Sequence, residues 1–98
     1  MQAMLEELNT LPGVLGTMLC DGEGRPVAQA LPPEQLDASL REAAAAAADS
    51  LRALHAATGQ ATHLDLHYTT RRIVIVPLGD GSVVLVCEKS ASPKVLLP

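Results

Sequence analysis

Residues 62–88 read THLDLHYTTRRIVIVPLGDGSVVLVCE, and the spacing of apolar side chains within this stretch decides the fold class. Leu64, Leu66 and Tyr68 alternate with His63, Asp65 and His67, the period of two that a half-exposed strand produces. Thr69-Thr70 turns the chain into Arg71–Leu78, whose Ile73-Val74-Ile75-Val76 run is apolar on both faces, as an interior strand requires. Gly79-Asp80-Gly81 makes a second tight turn, because glycine accepts the positive φ such turns need. Ser82–Glu88 follows, with Val83–Val86 again reading as interior. The last third of the chain is therefore expected to hold three strands joined by hairpins.

Upstream the apolar period changes to 3.6. Pro32-Pro33 opens a long helix, with Glu34 placed favourably for the helix dipole. This helix is expected to run through Thr58 and to end at Gly59, a suitable C-terminal cap. Leu36, Leu40, Ala44, Ala47, Leu51 and Leu54 share one face and form its core-facing stripe. Nearer the N-terminus, Met4, Leu5, Leu8 and Leu11 define a short helix that ends at Pro12-Gly13. Val14–Cys20 reads as a strand and Asp21-Gly22-Glu23-Gly24 as a turn. Arg25–Ala30 returns as a second strand, and Pro26, which has no N–H to give a ladder, predicts an edge position. The order helix, two strands, long helix, three strands defines an α+β fold. Its five-stranded antiparallel sheet should carry the long central helix on one face and the short N-terminal helix on the other. Residues 1–98 are expected to form a single domain, with 91–98 as a short irregular tail containing Pro93 and Pro98.

Composition narrows the function. The 98 residues are 48% hydrophobic, enough for one core, yet there is no Phe or Trp and one Tyr. Aromatic rings bring the largest buried area per residue, so a chain lacking them is expected to recover stability by oligomerising. A net charge of −4 with seven scattered Lys and Arg argues against nucleic acid. The alanine run Ala43–Ala48 falls far short of the ~20 apolar residues of a membrane span. Met1–Leu11 carries Glu6 and Glu7 and no basic segment, unlike a signal peptide. A cytoplasmic protein is expected, and abundant Ala, Leu and Val with few Lys points to a GC-rich bacterium. Cys20 and Cys87 form no spaced framework and fit a reduced compartment.

Four features in this order carry a resemblance: Leu11-Pro12-Gly13-Val14 leading into the first strand, the Asp21-Gly22-x-Gly24 turn, the long helix closed by Gly59, and Pro77-Leu78-Gly79-Asp80-Gly81 before a Val/Leu strand. Over roughly residues 4–90 the chain resembles the roadblock/dynein light-chain family. The resemblance implies a dimer that joins two five-stranded sheets through the third strand, with the long helices side by side. It also implies a non-catalytic scaffold or regulator; bacterial members pair with a Ras-like GTPase in motility and polarity systems. Members usually add a C-terminal helix, whereas Ser90–Pro98 supplies about one turn at most, so that helix is truncated or absent and its sheet face is left open or covered by a partner. The cysteines, near opposite ends of neighbouring antiparallel strands in this family's arrangement, would exceed the Cα separation of about 7 Å that a disulfide allows.

Ser39, Ala43, Ala46, Ser50, Ala53 and Ala57 line a narrow strip of the long helix, where small side chains let helices approach closer than about 8–10 Å. A dimer contact is expected there; alanine's helix propensity is the competing account. Asp37, Arg41, Glu42, Asp49 and Arg52 form the outer face. They either stabilise a solvated helix through i,i+4 pairs such as Asp37–Arg41 or, by the resemblance, receive the GTPase. His63, Asp65 and His67 share a strand face. Alternate strand residues lie about 6.6 Å apart, wide for three ligands on one zinc ion, so a polar face is expected and no metal. Close to a dimer axis, the two histidines would make the contact pH-sensitive near about 6–7. No Ser or Cys sits in a nucleophile elbow, and Gly22-x-Gly24 lacks the Lys-Ser/Thr of a phosphate loop. No catalytic residue, cofactor or bound nucleotide is expected. The reading is a homodimeric scaffold for a small Ras-like GTPase. A structural subunit paired with another roadblock chain is the alternative, and so is a small-molecule sensor, which the shortage of aromatic lining disfavours.

Overall fold

The computed structural model describes residues 2–58 and 63–89, with backbone alone at His55 and Thr58. The expected ends at Gly59 and Thr62, the tail beyond Lys89, and the question of a C-terminal helix lie outside the described residues. The elements are α1 (Gln2–Leu8), β1 (Val14–Cys20), β2 (Pro26–Ala30), a 3-10 turn (Pro33–Gln35), α2 (Ala38–Thr58), β3 (Leu64–His67), β4 (Arg71–Leu78) and β5 (Gly81–Glu88). The strands form one antiparallel sheet in the order β2-β1-β5-β4-β3. Val83–Val86, apolar on both faces, occupies its centre and is buried throughout. Pro26 lies on the outermost strand, where its missing N–H leaves no ladder bond unmade.

Successive residues of a strand face opposite sides, so the sheet separates two apolar layers. On one side Leu40, Ala44, Ala47 and Leu51 of α2 pack against Met18, Cys20, Ile73, Ile75, Val84 and Val86. On the other, Leu5 of α1 packs with Val74, Val83, Leu85 and Cys87. Each fully buried Leu, Ile or Val contributes about 1.5–3 kcal/mol through the area it removes from water. Polar bonds fix α1 and the turn that follows it to the sheet: the Thr17 hydroxyl donates to the Leu5 carbonyl at 2.9 Å, Gln2 Nε2 to the Gln29 carbonyl at 3.0 Å, and the Asn9 amide to the Ala30 carbonyl at 2.9 Å. Cys20 and Cys87 are free thiols in opposite layers. They lie near opposite ends of the β1–β5 pair, where Val14 faces Cys87 and Cys20 faces Ser82, and burial pushes both pKa values up to about 11.

Two boundaries and one face assignment differ from the sequence reading. The long helix does not begin at Pro32-Pro33. Pro32 is extended (φ −58°, ψ 142°), Pro33–Gln35 makes a 3-10 turn, and Leu36 (ψ 81°) breaks the helical path. Asp37 then starts α2, its Oδ1 accepting the Leu40 N–H at 2.9 Å, because a carboxylate there satisfies an orphan donor that proline cannot. The first helix ends at Leu8 and not at Leu11; residues 9–14 continue as tighter turns, with Thr10 Oγ1 donating to the Glu7 carbonyl at 2.6 Å. Leu54, assigned to the core stripe, is 43% exposed, while Ala43 joins the core against the sheet. The shift arises because α2 presents alanines to the sheet where they allow the closest approach.

Candidate functional site

Two arginines in sequence open β4, and the pleat sends them to opposite faces. Arg71 points toward α2 and is 8% exposed. Its Nη2 donates to Asp37 Oδ1 at 2.7 Å, and its Nη1 to the Gln35 backbone carbonyl and Oε1 at 3.0 and 3.1 Å. One side chain thus ties the 3-10 turn and the cap of α2 to the sheet. Arg72 points to the α1 side and grips Asp65 of β3 with two nitrogens, one of them Nε at 2.7 Å. His67 Nε2 lies 3.4 Å from the same carboxylate. Hydrogen bonding from the Arg72 guanidinium, opposed in part by desolvation, holds the Asp65 carboxyl below its ordinary 3.8. The Arg71 hydrogen bond and the Leu40 N–H likewise lower Asp37.

These carboxylates therefore bind protons more weakly folded than unfolded, so the stability they supply is complete above the unfolded value of about 3.9 and is lost as pH falls through the lower folded value. Thermal unfolding followed by circular dichroism from about pH 6 to 3 should show a midpoint level at first and then falling, with a shallower fall in Asp65→Asn. An equally steep fall in that variant would remove Asp65 from the account.

The candidate dimer residues fall on one flank of α2 and on or next to β3, except Ala43, which belongs to the core. β3 ends the sheet, so among the described residues one side of Leu64–His67 has no strand beside it. On α2, Ser39, Ala46, Ser50, Ala53 and Ala57 are exposed, while Ala43 is buried in the core. The orientation of the helix relates the two. Arg52 Nη1 donates to the Gly22 carbonyl at 2.9 Å, and Gly24 lies under the backbone of Ala44 and Ala45, so that flank of α2 faces the β1–β2 turn. At about 100° per residue the small-residue strip lies on the opposite flank, toward β3. Strip and free strand edge thus border the same side of the molecule. His63 is half-buried next to the start of β3, and His67 is exposed at its end.

The outer face is less uniform. Asp37, Arg41, Glu42, Asp49 and Arg52 are all exposed, but Asp37 is held by Arg71 rather than by Arg41, and Arg52 pairs with Asp49. Among the described residues Arg41 and Glu42 make no ion pair. A groove of about 510 Å³ runs beside Arg52, between the second half of α2 and the β1–β2 and β4–β5 turns. Sequence reasoning missed this groove and the Arg71 clasp. The clasp had a signal in Arg71-Arg72: adjacent strand residues face opposite sides, so one arginine must lie on the helix-covered face, where a buried charge requires a partner.

The family model of the Roadblock/LC7 domain matches residues 1–88, and the chain belongs to this family. Its structure is similar to the Roadblock/LC7 domain from Streptomyces avermitilis, with TM-score 0.74 and 14% identity over 98% of this chain and 84% of that one. MglB of Myxococcus xanthus aligns with TM-score 0.74 and 15% identity over 97% of this chain and 74% of that one. The gliding protein MglB of Thermus thermophilus gives TM-score 0.72 and 18% identity over 96% of this chain and 75% of that one. Comparison with curated proteins returns no match. Among the described residues no helix is long and apolar enough to cross a membrane.

Proposed function

We propose that the chain is a non-catalytic, homodimeric platform in the bacterial cytoplasm that binds a small Ras-like GTPase. The observation that carries this reading is the position of the small-residue strip of α2 and the free edge of β3 on one side of the molecule. A second copy related by a two-fold axis would extend the sheet and lay α2 against α2. The charge on β3 does not oppose this: edge carboxylates normally discourage pairing, but Asp65 is neutralised by Arg72 from its own sheet. The paired helices would then present Arg41, Glu42, Asp49 and Arg52 twice over as a docking face. A platform of this kind works by holding the partner's own switch segments in one arrangement.

Membership of the Roadblock/LC7 family, together with the likeness of the fold to MglB, supports the regulatory role. The test is co-purification from native lysate with the tagged chain in the presence of GDP or a non-hydrolysable GTP analogue. A Ras-like GTPase whose recovery depends on the nucleotide is the expected result. Recovery of a second roadblock chain alone would favour the structural-subunit reading.

A further inference from the structure

The groove beside Arg52 lies on the flank of α2 that faces away from the small-residue strip, so it stays accessible whether or not two copies pair through β3. Its floor is apolar, made by Leu51, Ala56 and Pro77. Its rim is acidic. Glu23 projects from the β1–β2 turn and Asp80 from the β4–β5 turn, both exposed, and among the described residues neither has an ion-pair partner. The two turns are in contact, since a Cβ on Gly22 would sit 2.9 Å from the Asp80 carbonyl. This brings the two carboxylate-bearing turns to the same end of the groove.

The basic residues nearby are already engaged. Arg25 pairs with Asp21 at 3.2 Å, and Arg52 with Asp49 and the Gly22 carbonyl. The rim therefore keeps uncompensated negative charge above a hydrophobic floor, in a chain whose net charge is −4. Among peptide side chains, that combination suits an apolar group flanked by a cation. A lysine or arginine can lay its methylene stem along the floor and keep its head among the carboxylates.

We infer that this groove is a binding site for a partner segment in which a leucine- or methionine-sized side chain stands next to lysine or arginine. The inference does not depend on the dimer or on the GTPase.

It is tested on the intact chain, isotopically labelled, by NMR titration with two pools of acetylated tetrapeptides. One pool is built from Leu, Met, Lys and Arg, the other from Leu, Met, Asp and Glu. The basic pool should move the amides of Gly22, Glu23 and Gly79–Ser82, and the acidic pool should leave them in place. Glu23→Lys with Asp80→Lys should weaken the response by about tenfold, the equivalent of 1.4 kcal/mol, and Ala56→Arg should fill the floor and abolish it. All three positions are exposed, so unchanged unfolding midpoints are expected and serve as the control for folding. Equal responses to both pools, no response to either, or shifts confined to β3 and the strip would overturn the inference. So would movement of the same amides without peptide, either on dilution, which would place a second copy in the groove, or in Lys94→Glu, which would place the chain's own terminal segment there.

Discussion

An Ala46→Glu variant should elute and scatter light as a monomer at micromolar concentrations where the parent chain is expected to show twice the monomer mass. Ala46 is exposed at the middle of the small-residue strip, where two helices could approach closer than the usual separation of about 8–10 Å only because no side chain stands between them. A glutamate there adds bulk at the point of closest contact. It also places two like carboxylates beside a two-fold axis, in a site that dimerisation would strip of water. Burying an unpaired charge costs several kcal/mol, and a micromolar dimer is held by only about 8 kcal/mol. Losing half of that raises the dissociation constant by roughly a thousandfold. Ala56→Glu, on the opposite flank, should leave the dimer unchanged, which separates a local effect from added charge. Retention of the parental mass by Ala46→Glu would end the helix-to-helix proposal, and with it the paired docking face.

The second large effect is expected at Gly24. This residue closes the β1–β2 turn with φ +80°, its N–H bonded to the Asp21 carbonyl at 3.0 Å. Asp21 Oδ1 accepts the Glu23 and Arg25 N–H groups at 2.9 and 3.0 Å, so the turn is held on both sides. A Cβ at Gly24 would lie 2.8 Å from the Ala44 carbonyl oxygen and 2.8 Å from Ala45 Cα. Both belong to helix backbone and cannot swing aside as a flexible side chain would. Gly24→Ala must therefore bear the left-handed strain of about 1–2 kcal/mol and also displace α2 from the sheet. A total of about 2–4 kcal/mol is expected, a large share of the stability of a small domain. Gly79 is the natural comparison. Its φ is +60°, but nothing lies within 4 Å of its Cβ position, so Gly79→Ala should cost the conformational part alone. Urea unfolding of the two variants measures the difference, and equal losses would show that the contact with α2 adds nothing.

The contrast between these glycines also marks what could be read from the chain. Alternation over Leu64–Tyr68 and the doubly apolar runs at Ile73–Val76 and Val83–Val86 placed three strands correctly, because strand period and burial are local properties. Pro26 on an outer strand was equally legible. The start of α2 was not: Pro33 and Glu34 suit a first helical turn, but Asp37 competes as a cap and is drawn into place by Arg71, 34 residues away. A bond of that separation leaves no trace in local periodicity. The side of α2 that meets the sheet was equally hidden, since Gly24 lies under Ala44 and Ala45 and Arg52 bonds the Gly22 carbonyl, contacts made only once the chain has folded. The groove owes its existence to two turns that meet only in the folded molecule. Of the candidate surface, the strip and the third-strand residues were visible as patterns, but their shared side became apparent only once the β1–β2 turn fixed the orientation of the helix.

Tyr68 follows β3, 39% exposed, with its N–H bonded to the Arg71 carbonyl at 2.9 Å. Because the chain has one tyrosine and no tryptophan, its intrinsic ultraviolet emission comes from this single ring. The molecule thus carries a built-in reporter next to the free sheet edge, so quenching or a change in anisotropy on self-association would locate the event there without any attached dye.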